Sequence, residues 1–280
     1  METARWRFDM PHVGDRMELY LLGDMHIGTL ACDVPLLKDF IAHIRKRPNA
    51  RVLLMGDAID AIGPFDKRLD IETLDYDTRS GKPVIDFQVD AACAILKPIA
   101  PIILGVLTGN HEEKVRTQSG SDPTYQICKE LKIKYLKWHV LAALDFTIGN
   151  SVHRVVLDAA HGRFAGRKAG GAMNRIYDIA GYFPTADIVA RGHSHHLFCD
   201  YEPTLVLGKI LDIEERKVWG CNTGSFFRAY QQGVTSYAEQ WDCSPSALGC
   251  VRFTFTHARP KTNKRVVVIK GEKMTAEDVR

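Results

Sequence analysis

The sequence predicts an α/β fold built on two mixed β-sheets. Three observations carry this expectation. Early in the chain, apolar runs alternate with segments of helical periodicity, as in strand–helix–strand units of a parallel sheet. Later, apolar runs follow one another across turn residues, as in antiparallel hairpins. The 280 residues, 45% of them hydrophobic and 25% charged, suffice for one large soluble domain with a sizeable core.

The elements follow in order. METARWRFDMPHVGDR at the N-terminus alternates charge and bulk and lacks the apolar centre of a signal peptide. MELYLLGD (17–24) reads as a buried strand ending at a carboxylate, and residues 33–47 carry apolar positions at helical spacing. RVLLMGD (51–57) is a second buried strand ending at an aspartate. Residues 60–82 are polar and read as a long loop, and residues 66–77 within it as a solvated acidic surface. A helix is expected over 84–97, a third strand over 101–112 ending at Gly-Asn-His, and a short helix near 123–131. Residues 141–162 read as two strands around Gly149-Asn150, a dipeptide suited to a tight hairpin. A helix with a glycine-rich entry covers 168–183, and a strand over 186–196 ends in histidines. Meandering strands follow, the last at KRVVVIK, before a frayed polar tail. One domain is expected over 1–280, its motif-bearing core at about 17–200 and its β-rich part at 200–270.

Composition narrows the function classes. A net charge of +3 permits an anionic substrate, whereas a dedicated nucleic-acid binder is usually more basic. No apolar run approaches the roughly 20 residues of a membrane helix. The seven cysteines are odd in number, irregularly spaced and without C-x-x-C, so they read as thiols of a reducing cytosol rather than a disulfide or zinc framework.

Polar residues gather at the strand ends: Asp24 with His26, Asp57, Asn110 with His111, His161, and His193 with His195. Ligands of open α/β sheets bind outside the carboxyl ends of strands. In an extended segment His193 and His195 would share a side, with His196 facing away. Oxygen and nitrogen donors without sulfur suit Mn²⁺, Fe or Zn²⁺. One catalytic zinc takes about three protein ligands, so this larger set suits two ions sharing a carboxylate. A buried aspartate costs several kcal/mol unless neutralised, and two would repel; paired dications remove both penalties.

In order, D24-M-H26, G56-D57-A-I-D60, G109-N110-H111-E112, H161-G162 and G192-H193-S-H195 resemble the motifs of the calcineurin-like metallophosphoesterase superfamily. The resemblance spans residues 24–195, about two thirds of the chain. It implies a four-layer α/β/β/α sandwich and two divalent ions, Mn²⁺ foremost, with Fe, Zn or Ni as alternatives. Asp24, His26 and His195 would hold one ion, Asn110, His161 and His193 the other, and Asp57 would bridge them opposite a hydroxide. His111 would face the substrate as the catalytic histidine, with the Asp60 carboxylate accepting from it. His196 matches no ligand.

Departures from the pattern separate branches. Protein phosphatases of this superfamily carry arginines where Ala61 and Thr108 stand here, purple acid phosphatases a tyrosine at Asp60, and lipid A diphosphatases typically an arginine at His111. The motifs are closest to the DNA-repair exonuclease and phage-type phosphodiesterase branch. The resemblance therefore implies a phosphodiesterase acting on nucleic acid (DNA or RNA) or nucleotides, and the cysteine pattern a cytoplasmic one. A phosphomonoesterase using the same metals and an inactive nucleic-acid-binding module are the alternatives. Arg163, Arg167, Lys168 and Arg175, in a glycine-rich stretch, read either as phosphate contacts or as a solvated basic loop.

Overall fold

The computed structural model describes residues 1–62, 66, 70–164, 168–207, 211–234, 236–259 and 266–280. The chain opens with a strand, Glu2–Asp9 (β1), in which Ala4, Trp6 and Phe8 alternate with exposed residues and join an apolar cluster. In Arg16–Leu22 (β2) and Ala50–Leu54 (β3), Leu19, Leu21 and Leu53 enter that same cluster, while Tyr20, Leu22, Val52 and Leu54 enter another. Successive strand side chains point to opposite faces, so both faces of this sheet are buried.

Between β2 and β3 runs Val34–Arg45 (α1), capped by Asp33, whose Oδ1 accepts from Leu36 N at 3.1 Å. Val84–Leu96 (α2) precedes Ile103–Val106 (β4), and Asn110–Ser119 (α3) and Pro123–Leu131 (α4) follow it. Next come the hairpin His139–Ile148 (β5) and Ser151–Ala160 (β6), then Ala169–Ala180 (α5) and Ile188–Arg191 (β7). The long hairpin Leu197–Leu207 (β8) and Ile213–Thr223 (β9) leads to Tyr237–Gln240 (α6), Cys250–Ala258 (β10), Val266–Met274 (β11) and Ala276–Val279 (α7).

One sheet has the order β11-β10-β2-β3-β4, and the other β1-β5-β6-β7-β9-β8. Both are mixed: β2, β3 and β4 run parallel while β10 is antiparallel to β2, and β7 is parallel to β6 and β9 while β8 is antiparallel to β9. Leu144, Phe146, Phe253 and Phe255 lie in the core between the sheets. Phe40 and Ile44 of α1, Ala92 and Leu96 of α2, and Ile127 of α4 cover the outer face of the five-stranded sheet. Ala172 and Ile176 of α5 cover Val189 and Phe198 of the six-stranded one. The layers are α/β/β/α.

Several elements differ from the sequence reading. β1 is a strand, parallel to β5 with Trp6 opposite Leu144, and the alternation of charge and bulk in METARWRFD is its signature. The third strand ends at Val106, because Gly109 begins a helix whose first turn holds Glu112 and Glu113. β7 ends at Arg191 rather than in the histidines. The C-terminus is tied down: Arg280 Nε donates to Asp39 Oδ2 at 2.9 Å. Asp66 of the acidic loop is buried and pairs with Lys114 at 2.7 Å. All seven cysteines are free thiols. No helix among the described residues is long and apolar enough to cross a membrane.

Asp158 on β6 ties the six-stranded sheet together: it accepts from Arg191 Nη2 of β7 at 2.7 Å and pairs with His139 of β5. Arg191 is itself buried. Asp158→Ala therefore strands a buried guanidinium, and urea denaturation should show a loss of about 3–5 kcal/mol. A loss below about 1 kcal/mol would contradict this role.

Candidate metal centre

The loops after β2 and β3 run side by side. Asp24 N donates to Gly56 O at 3.0 Å, His26 N to Asp57 O at 3.0 Å, and Ile27 N to Ala58 O at 3.1 Å. Glu112 attaches the loop after β4, its carboxylate accepting from Gly109 N and Ile59 N at 3.1 Å each. Gly192 N donates to His161 O at 2.9 Å, which joins the ends of β6 and β7. The sheets meet where His193 N donates to Asp24 Oδ1 at 3.0 Å. Close approach demands glycine at one point: a Cβ on Gly109 would lie 1.9 Å from Asp57 Oδ1.

This convergence strains the backbone. Asp24, His26, Asp57, His193 and His195 all have φ between 46° and 68°. Non-glycine residues are uncommon in that left-handed region, and such strain clusters at functional sites. The shared orientation of His193 and His195 comes from these turns and not from strand alternation.

Asp24, His26 and His195 each offer an atom within 4.8 Å of the others, as do Asp57, His161 and His193, and a third group, His26, Asp60 and His111, shares His26 with the first. Asn110 Oδ1 joins the second set, 2.6 Å from His193 Nδ1 and 2.9 Å from His161 Nε2. Asp57 Oδ2 lies between the sets, 3.2 Å from His161 Nε2 and 3.9 Å from His26 Nε2. Asp24, His26, Asp57 and His161 are fully or almost fully buried, whereas 21% of the His195 side chain remains exposed.

The donor chemistry fits divalent metal. Histidines that ligate metal give their other ring N–H to a carboxylate or carbonyl. His161 Nδ1 donates to Met55 O at 3.0 Å, and His26 Nδ1 to Asp60 Oδ1 at 3.3 Å. Both imidazoles thereby turn Nε2 to the centre. Phe227 packs edge-on against His26, ring centroids 5.2 Å apart, and excludes water from that side.

Burial governs the charge states. It lowers His26, His195 and His193, the last to about 4, so these imidazoles are neutral and ready to ligate. It pushes the Asp24 carboxyl up to about 8, and Glu112, also repelled by Asp57, up to about 7. Burial would raise Asp57 too, but His161, His111 and His26 outweigh it and hold that carboxyl well below the usual carboxylate range. For His161 burial acts downward, and the carboxylates of Asp57 and Asp24 reverse it, to about 10.

Asp60 acts differently from the sequence reading. Its carboxylate lies 3.9 Å from His111 Nδ1 and nearer to His26, and it is the Asp60 main-chain carbonyl that accepts from His111 Nδ1. His111 Nε2 then points inward, 4.0 Å from Asp57 Oδ2. Of the basic residues, Arg163 and Arg175 line a cavity of about 310 Å³ beside Gly162 and Gly192. Lys168 is exposed at the start of α5 and does not line it, and Arg167 lies outside the described residues. His196 is buried. Sequence reasoning missed the bracing role of Glu112, signalled by its place directly after Gly-Asn-His. It also missed Gln88, which accepts from Ala61 N at 2.9 Å and donates to Gly28 O at 3.3 Å.

No protein-family model and no curated protein matches the chain. Solved structures are similar to it. Vps29 complexed with zinc from Entamoeba histolytica is 16% identical, over 93% of this chain and 99% of its own, with a TM-score of 0.40. A Streptococcus pneumoniae protein described as a predicted phosphoesterase is 12% identical over 94% and 91%, with a TM-score of 0.36. The Pseudomonas putida nuclease MPE is 13% identical over 89% and 87%, with a TM-score of 0.33. The α/β/β/α layering is the one that the resemblance of the motifs implies. At these identities and TM-scores the likenesses carry no argument about activity, metal or partner.

Metal affinity should depend on pH. Below about 8 a proton occupies Asp24, and His161 holds one up to about 10, so protons compete with a cation as pH falls. Calorimetric titration with Mn²⁺ should show affinity at least tenfold higher at pH 8 than at pH 6. Equal affinities would contradict the titration of these ligand atoms.

Proposed function

We propose that the chain is a dinuclear-metal-dependent phosphodiesterase acting on nucleic acid or nucleotides. One observation carries the reading: two donor sets meet at Asp57, and the inward nitrogen of His111 faces the same carboxylate. Asp24, His26 and His195 would hold one ion, Asn110, His161 and His193 the other, and Asp57 would be shared. Bound there, two dications supply charge for a phosphoryl oxygen and a nucleophile near neutral pH. Mn²⁺ suits the donors best, and Fe, Zn and Ni also accept them.

The protein's own residues do the rest. The Asp60 carbonyl fixes the His111 tautomer with the proton on Nδ1, and the Asp60 carboxylate holds His26 in place. A further proton on His111 Nε2 would be delivered to the leaving oxygen. Arg163 and Arg175 stand beside the second donor set, where guanidinium forks grip phosphate oxygens. Arg167 and Lys168 extend the same basic stretch in sequence and are proposed as further phosphate contacts.

Purified protein with Mn²⁺ should hydrolyse a bis-aryl phosphate. Asp57→Asn should lower kcat/KM by about a thousandfold or more, equivalent to about 4 kcal/mol of barrier. Turnover of a mono-aryl phosphate alone would assign a phosphomonoesterase instead, and no turnover of either with bound Mn²⁺ would favour a binding module.

His111→Gln should slow a diester with a poor leaving group by about 10²–10⁴-fold. A nitrophenolate, which leaves without a proton, should be affected far less. Full activity on the poor leaving group would remove His111 from the chemistry.

A further inference from the structure

The cavity beside the second donor set has two kinds of wall. Phe164 from the loop after β6, with Ala172, Ile176 and Ile179 from α5, gives it an apolar side. Arg163 and Arg175 stand at its edges, and the charge of Arg163 is felt by the Glu113 carboxylate. Arg163 lies over the Trp138 ring at 5.1 Å and Arg175 over Tyr182 at 6.0 Å, within reach of a cation–π attraction. Arg191 also lines the cavity, but Asp158 occupies its guanidinium.

Asn222 forms part of the buried lining. It is 2% exposed, and its Nδ2 donates to Gly192 O at 3.1 Å. Its Oδ1 is buried with no hydrogen-bond partner among the described residues. That oxygen has almost no accessible surface, so recognition of an occupant falls to the apolar side and the edge arginines.

The cavity adjoins the metal-ligating candidates directly. Gly162 and Gly192 of its wall are chain neighbours of His161 and His193. A Cβ on Gly192 would lie 2.8 Å from Asp24 Oδ2. Its volume of about 310 Å³ is at the lower end for small-molecule sites, which begin near 300 Å³.

We infer that this cavity is a nucleobase subsite, taking the base of a nucleotide whose phosphate lies at the donor sets. The inference rests on the phosphodiesterase reading and names its substrate class. A planar heterocycle fills the apolar side and presents its π face to the edge guanidinium groups. An alkyl chain fills the apolar side equally but has no π face to offer the edge guanidinium groups. The base must be unstacked to enter, so single strands, chain ends and free nucleotides bind while intact duplex does not.

Binding tests this without turnover. Calorimetry on the Mn²⁺-loaded protein compares a nucleoside 5′-monophosphate, ribose 5-phosphate, octyl phosphate and inorganic phosphate. The nucleotide should bind at least tenfold more tightly than each of the others. Ile179→Trp, which fills the apolar side, and Arg175→Ala, at the edge, should each bring the ratio of nucleotide to ribose phosphate affinity close to one. Equal affinity for nucleotide and ribose phosphate in the unaltered protein overturns the inference, as does a tie with octyl phosphate. A ratio that survives both substitutions overturns it too. Because these are affinities, they stand whether or not any diester is hydrolysed. The hydrolysis assay judges the phosphodiesterase reading separately.

Discussion

Two carboxylates, Asp24 and Asp57, sit without solvent contact at the meeting point of the two sheets. Everything else about the centre follows from that arrangement. Isolated buried anions are among the most expensive features a protein can hold. Here burial pushes Asp24 up to about 8, while His161, itself raised to about 10, above all holds Asp57 ionised. Protons on Asp24 and His161 meet that cost near neutral pH, and a cation at the imidazole nitrogens would displace them.

The surrounding fold serves to hold this arrangement. Loops from both sheets end in left-handed residues, each carrying about 1–3 kcal/mol of strain. Backbone hydrogen bonds between the loops, the Glu112 carboxylate and the Gln88 amide keep them there. The layers below are ordinary apolar cores on both sides of alternating strands. Rigid sheets with specialised connecting loops are a common division of labour between stability and chemistry. Arg191 belongs to both parts, bound to Asp158 in the sheet and forming one wall of the cavity above it.

Much of this was legible in the residues. The ordered motifs from Asp24 to His195 named the side chains that converge, because loop residues at strand ends are short, polar and contiguous in sequence. The two sheets were legible from the switch between helical and hairpin periodicity. What was hidden depended on contacts distant in sequence or on backbone atoms. No pattern announces that the Asp60 carbonyl, rather than its carboxylate, orients His111. Nor does Glu112 advertise that it ties two loops together. The shared side of His193 and His195 was expected for the wrong reason, since a turn rather than a strand produces it. β1 was visible as alternation, but its partner β5 lies far along the chain.

The most direct measurement is a crystal of the protein grown with Mn²⁺, with anomalous difference maps collected at the manganese edge. Two peaks are expected. One should lie among Asp24, His26 and His195, the other among Asn110, His161 and His193, with an Asp57 oxygen between them. Fully loaded crystals with no peak within coordination distance of Asp57 would contradict the account at its centre.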